Sequence, residues 1–362
     1  IGSISQNVSS INNVLESEDV FATINSLKRL GIKITKIKKQ KYLVFGKGLG
    51  CFQSKKNEKL NFGNSGTLAR LLIGVLSTTP NIEVNIRGDH SLNKRSMEKL
   101  INLMKKFGAS FFPKNKFHLP LKLISSNMPI GINYKASTSA QLKSAVILAG
   151  LNSYGNTTIF ENQKSRDHTE NILLNNKKVI SIKSKKRRII KIFGKNKLDP
   201  IKINIPSDPS SAAFFSALTL LNQKSAIKIK KVGLNKTRIG FYDLLKKQGA
   251  KIKFTNIKKT NNEVFGDIVV KSCKLKPIQA SKIYYTSMTD EYPILFIMAA
   301  LIKGKSIFKG ISDLTNKESN RILEIKKILD QINIKSKIKK DEFIIYGQGL
   351  IDASSKKVVI PN

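Results

Sequence analysis

Nine of the 65 basic residues are arginines. In a chain that otherwise uses lysine, arginine marks places where a rigid fork of donors is wanted, because it grips a carboxylate or phosphate through two parallel bonds and lysine cannot. Arg70, Arg95, Arg166, Arg238 and Arg321 lie in Gly/Ser/Thr/Asp-rich contexts, whereas Arg29, Arg187 and Arg188 read as ordinary surface charges. Arg70 belongs to the stretch LNFGNSGTLARLL (60–72), where an apolar strand end passes through Gly-Asn-Ser-Gly-Thr into a helical run. Ser65 or Thr67 would cap a helix whose apolar face is Leu68, Leu71, Leu72 and Val75. The same helix start offers free N–H groups and a partial positive charge to an anion, and its glycines let a ligand approach the backbone. The stretch lacks the Gly-Lys-Ser/Thr ending of a nucleotide-triphosphate loop, so the chemistry it points to is the holding of smaller anions.

The elements that must position these residues repeat along the chain. An amphipathic helix ending in Lys and Gly and followed by a strand occurs at 17–34, 94–111 and 237–254, with weaker relatives lacking the glycine at 165–182 and 316–338. The glycine is a C-terminal cap and the lysines before it complement the helix dipole. Between these copies lies a second helix type, apolar nearly all round and therefore buried: GTLARLLIGVLS (66–77), SAQLKSAVILAGL (139–151), PSSAAFFSALTLL (209–221) and EYPILFIMAALI (291–302). Each is entered through a polar cluster, GNSGT, STSAQ, SDPSS or TDE. One such cluster is explained by capping; four on four buried helices point to helix starts gathered at shared anion-binding surfaces. The spacing of the copies predicts repeated βαβ-type units, with both ends of the sequence read as cut. Six units in two groups of three would make up the parent, with a boundary near Pro206 to Ser211. The domains are thus 1–205 and 206–362.

Composition sets outer limits. At 362 residues, 40% hydrophobic and 25% charged, the chain is globular and long enough for two cores. Two cysteines and three scattered histidines fit neither a disulfide framework nor a metal site. There is no apolar run long enough for a membrane span. The net charge of +41 invites a nucleic-acid reading, but lysine is spread along the whole chain beside abundant Ile and Asn, as compositional drift would leave it. The one dense basic run, KSKKRRIIK (183–191), has no interleaved aromatic residues and reads as a hairpin surface.

Seven motifs in order, GNSGTLARLL (63–72), RGDHSLNKRSM (87–97), SAQLKSAVILAGL (139–151), SRDHTE (165–170), PSDPSSAAFF (206–215), DEYP (290–293) and NKESNRI (316–322), resemble the enolpyruvyl transferases. Within them, the match is to the 5-enolpyruvylshikimate-3-phosphate synthases. The resemblance implies an α/β (α+β) fold of two domains, each of three βαβαββ units around a pseudo-threefold axis and closing over the substrates. It also implies a monomeric, cytoplasmic, cofactor-free and metal-free enzyme without nucleic-acid or membrane partners. Its reaction would move the carboxyvinyl group of phosphoenolpyruvate onto the 5-hydroxyl of shikimate 3-phosphate. Such a reaction needs a proton donor for the vinyl carbon, a base for the hydroxyl and cations for two phosphates and two carboxylates.

By the same resemblance, Asp290 and Glu318 carry the acid–base work. Arg95 and Arg321 grip phosphoenolpyruvate, with Gly66 and Gln141 beside it. Ser139, Ser165, Arg166, Asp290 and Lys317 contact shikimate 3-phosphate. Read alone, Asp290 would be an N-cap, Glu318 a surface partner of Arg321, and Lys143 and Arg238 partly exposed helix charges. Ser96, Thr315, Asn320 and Ser207 depart from the family pattern, and Asn320 removes a carboxylate near Arg321. The nearest rival is the sister transferase acting on UDP-N-acetylglucosamine, whose acid is a loop cysteine. Neither Cys51 nor Cys273 sits in a comparable context.

Overall fold

The computed structural model describes residues 1–184, 187–316 and 320–349. It divides into two compact units, Ile1–Ile205 and the chain from Pro206 onward. The helices are α1 (Glu18–Arg29), α2 (Gly66–Ser77), α3 (His90–Lys94), α4 (Glu98–Lys105), α5 (Ala140–Leu151), α6 (His168–Leu173), α7 (Pro209–Leu221), α8 (Gly240–Lys247), α9 (Tyr292–Ala300) and α10 (Arg321–Gln331).

In the first unit, three four-stranded sheets share one plan. The strand Glu58–Asn61 pairs in parallel with Glu83–Arg87 across α2, and the sheet continues antiparallel through Leu121–Ile124 to Ser110–Phe112, with α3 and α4 between. Asn133–Ala136, α5, Asn156–Glu161, α6, Ile180–Ser184 and Arg188–Phe193 repeat the same order. The sheet built on Gln6–Asn12 takes its parallel edge from Lys202–Asn204, near the end of the unit. A parallel pair needs a crossover, which is the buried helix α2 or α5 in the first two of these sheets and most of the unit in the third. In the second unit α9 crosses between Gln279–Ala280 and Gly304–Lys309, and α7 spans the parallel bridge Ser207–Val232. The described residues thus form a mixed α/β repeat of βαβαββ type.

The amphipathic helices are α1, α4, α6, α8 and α10, each followed by a strand. Gly31, Gly108 and Gly249 take left-handed backbone after α1, α4 and α8, and Asn333 takes that role after α10, where glycine is lacking. The buried helices pack as their composition demands. In α5 every residue from Leu142 to Leu151 is buried, and α2 rests on it so closely that a Cβ on Gly74 would lie 2.8 Å from the Ala145 carbonyl oxygen.

Helix α7 departs from its expected burial. Its small face, Ala212, Ala213, Ser216 and Ala217, is covered, while Phe214, Phe215 and Leu218 are more than half exposed. An apolar sequence permits burial on every side, but only neighbours provide it. Each unit has its own apolar core. No helix among the described residues is long and apolar enough to cross a membrane.

Candidate active site

In the first unit the chemistry gathers at the start of α2. The Ser65 hydroxyl accepts the Leu68 N–H at 3.2 Å, so Ser65 rather than Thr67 is the cap. Arg70, one turn along, donates to the Gly66 carbonyl at 2.9 Å. Arg95 arrives from the end of α3, a helix capped by Asp89, whose side chain accepts the Leu92 N–H at 2.7 Å. A Cβ on Gly66 would stand 2.6 Å from Arg95 Nη1 and 2.8 Å from Arg70 Nη1. Two guanidinium groups therefore converge on the first turn of a helix with no acidic residue of its own there. Two cations and a helix dipole at one place form a field that an anion relieves. From α5, whose cap is Ser139, Gln141 Nε2 donates to Thr67 Oγ1 at 2.8 Å, joining the starts of the two buried helices.

Beneath α5 lies a charge cluster whose two cations, Lys143 and Arg188, read from the sequence as a partly exposed helix charge and a surface charge. Lys143 is fully buried and bonds Glu161 and Glu170, each at 2.8 Å. Arg188 bonds the same two carboxylates at 2.6 and 3.1 Å. Lys143 is thus no partly exposed helix charge and Arg188 no ordinary surface charge. Glu161 Oε1 also accepts from the Ser165 N–H at 2.9 Å and the Ser165 hydroxyl at 2.8 Å.

Burial pushes the Glu161 carboxyl up, but Lys143, the Ser165 N–H and Arg188 outweigh it and hold it below the ordinary glutamate range. A carboxylate depressed in the folded state stabilises fully above its unfolded pKa of about 4.3 and loses that contribution as pH falls through the folded value. Glu161→Gln is expected to flatten the dependence of stability on pH below about 4.3. Urea melts at pH 5 and pH 3.5 check this; an unchanged pH slope refutes it.

In the second unit Asp290 stands just before α9. The cap of α9 is Glu291, which makes no side-chain cap bond, so Asp290 is not retained as a cap. Arg321 Nη1 lies 3.4 Å from Asp290 Oδ1 and 3.5 Å from the Thr289 carbonyl. Arg321 is the first residue of α10, where a cation opposes the helix dipole; that local cost points to a role for the charge itself. Asn320 caps α10 by accepting the Leu323 N–H at 3.2 Å, so the departure from Asp keeps the helix start intact. Arg238 lies ahead of α8 rather than on it, donating at 2.8 Å to both Asp208, the cap of α7, and Ser210. Ser210 in turn donates to Glu291, so the starts of α7 and α9 are joined as those of α2 and α5 are.

Known proteins match both the sequence and the fold. The family model for EPSP synthase (3-phosphoshikimate 1-carboxyvinyltransferase) matches residues 1–358. The chain belongs to the EPSP synthase family. The 3-phosphoshikimate 1-carboxyvinyltransferase of Petrotoga mobilis is 39% identical over 350 residues, covering 96% of this chain and 80% of that one. The Zymomonas mobilis enzyme is 38% identical over 339 residues, covering 93% and 74%. An EPSP synthase structure from Acinetobacter baumannii superposes with a TM-score of 0.83 at 32% identity, covering 97% of this chain and 78% of that one. The enolpyruvyl transferase NikO from Streptomyces tendae, at 12% identity and a TM-score of 0.67 over 96% of this chain and 78% of its own, shares the fold.

Among the residues expected to serve an EPSP synthase, the first unit brings Gly66, Arg95 and Gln141 to one place and adds Thr67 and Arg70. Ser139 starts α5, Ser165 is bound to Glu161, and half-buried Arg166 follows it directly. In the second unit Asp290 and Arg321 are paired. Lys317 and Glu318 lie outside the described residues. The Lys143 cluster escaped sequence reading, although it left a signal. Lys143 interrupts an apolar helix and Glu161 follows the apolar pair Ile159-Phe160 at the end of its strand, and charges are rarely buried unless paired.

Proposed function

We propose that this chain transfers the carboxyvinyl group of phosphoenolpyruvate to the 5-hydroxyl of shikimate 3-phosphate and releases phosphate, a step toward the aromatic amino acids. The observation that carries the reading is the convergence of Arg70 and Arg95 on Gly66 at the start of α2, beside Gln141, in a chain of the EPSP synthase family.

Substitution at a vinyl carbon balances as addition followed by elimination. The hydroxyl oxygen bonds the carbon that bears phosphate while its proton passes to a base and the methylene carbon gains a proton to become methyl; the bond to phosphate then breaks as that methyl loses a proton and the double bond re-forms. Asp290 is the base and Glu318 the proton donor in this reading. Arg95, Arg321, Gly66 and Gln141 serve phosphoenolpyruvate, with both guanidinium groups countering its phosphate and carboxylate. Ser139, Ser165, Arg166, Asp290 and Lys317 serve shikimate 3-phosphate. On the family resemblance the enzyme works as a single chain in the cytoplasm, which light scattering tests for its oligomeric part.

The deciding experiment is phosphate release from phosphoenolpyruvate with shikimate 3-phosphate or UDP-N-acetylglucosamine as acceptor. Release with shikimate 3-phosphate alone is the expected result; release with neither refutes the reading. A second expectation concerns Gly66→Ala. The atoms nearest its Cβ would be the far ends of Arg95 and Arg70, which can give way, so the chain folds while the guanidinium groups shift. The KM for phosphoenolpyruvate should rise on the order of tenfold, equivalent to about 1.4 kcal/mol, with little change for shikimate 3-phosphate. Steady-state kinetics with each substrate varied in turn check this; equal rises in both KM values count against it.

A further inference from the structure

We propose that the buried quartet Lys143, Glu161, Glu170 and Arg188 is a positioning device for the shikimate 3-phosphate contacts, an inference that rests on the substrate reading above. Each member holds a different element. Lys143 is on α5, one turn from Ser139, whose carbonyl accepts the Lys143 N–H at 3.2 Å. Glu161 ends its strand and binds both the N–H and the hydroxyl of Ser165, fixing that side chain and closing the loop that leads to Arg166. Glu170 is on α6, just beyond Arg166, and Arg188 opens the neighbouring strand. The contact of Ser144 Oγ with Thr169 Oγ1, at 2.8 Å, is a second strut between α5 and α6. The quartet thus locks the helix that bears Ser139 to the loop that bears Ser165 and Arg166.

Stability does not account for such a cluster. Removing four charges from water is costly, and apolar residues of similar volume often fold as well or better. What two cations bonded to two carboxylates do supply is one geometry, since charged hydrogen bonds are directional and well-packed methylenes are not. A small displacement of a substrate contact by a change remote from the chemistry costs on the order of ten- to a hundredfold.

The test compares the full chain with Lys143→Met and with the charge-neutral double variant Lys143→Met/Glu170→Met, using Arg166→Ala as the direct-contact control. Shikimate 3-phosphate affinity is read by calorimetry, the KM for phosphoenolpyruvate by turnover and folding by thermal melting. The double variant is included because the single one leaves two buried carboxylates facing one cation. A double variant that melts like the parent yet binds shikimate 3-phosphate at least about tenfold more weakly, with a clearly smaller rise in the KM for phosphoenolpyruvate through Gln141 on the same helix, is the expected result. Parent-like binding in the double variant overturns the proposal, and so does an equal loss for both substrates. If Arg166→Ala leaves shikimate 3-phosphate affinity untouched, the substrate assignment itself falls and takes the positioning role with it. If Arg166→Ala weakens binding and the double variant does not, the positioning role alone falls.

Discussion

Replacing Asp290 with Asn is expected to lower kcat by about two to four orders of magnitude, the usual weight of a positioned general base, while leaving the fold intact. Asn matches Asp in size but cannot accept the hydroxyl proton. The stability side of the expectation follows from geometry. Asp290 is not the cap of α9, and its bond to Arg321 is long, at 3.4 Å, between side chains that keep 38% and 24% of their exposure. A pair so open to solvent is worth about 0–1 kcal/mol. Phosphate release with saturating substrates measures the first effect and a thermal melt the second. A variant that retains parental kcat removes Asp290 from the chemistry; one that loses activity and melting temperature together makes its role structural.

Lys143→Met carries the largest expected stability effect. Both carboxylates it bonds are fully buried, so deleting the lysine leaves Glu161 and Glu170 with Arg188 as their shared cation among the described residues, the Ser165 bonds to Glu161 adding no charge. Breaking a buried pair from one side costs about 3–5 kcal/mol, because the remaining charge keeps its desolvation cost without its partner. For a unit of this size that corresponds to a fall in melting temperature of about 10 °C or more. Differential scanning calorimetry measures it, and a shift below about 2 °C would show that the cluster re-forms its balance without lysine.

These two residues also show where sequence reading reaches and where it stops. Asp290 was marked by its motif, and the structure then removed the competing reading by giving the cap to Glu291. Lys143 was equally visible as a charge in an apolar helix, yet its burial depends on Glu161, 18 residues away, and on Arg188, which sits in a basic run resembling solvent-facing surface. Pairing is a property of two positions, and spacing along one segment reports only local neighbours. The same limit explains α7. Its composition announced a buried helix, but exposure of Phe214, Phe215 and Leu218 is decided by what lies opposite them.

By itself the sequence determined what acts within a few residues: the polar starts of α2, α5 and α7, the left-handed glycines after α1, α4 and α8, the alternation of amphipathic and buried helices, and the ordered motifs of the EPSP synthase family. Each of these rests on backbone hydrogen bonds and periodicity that a short segment sets alone. Tertiary structure decided which charges meet. Arg95 reaches Gly66 from another helix, and Gln141 reaches Thr67 across 74 residues. Lys143 and Arg188 are drawn inward by carboxylates on other elements. The reason is electrostatic: a charge is stable away from water only when opposite charges and donors surround it in three dimensions, and that arrangement exists only after the chain has folded.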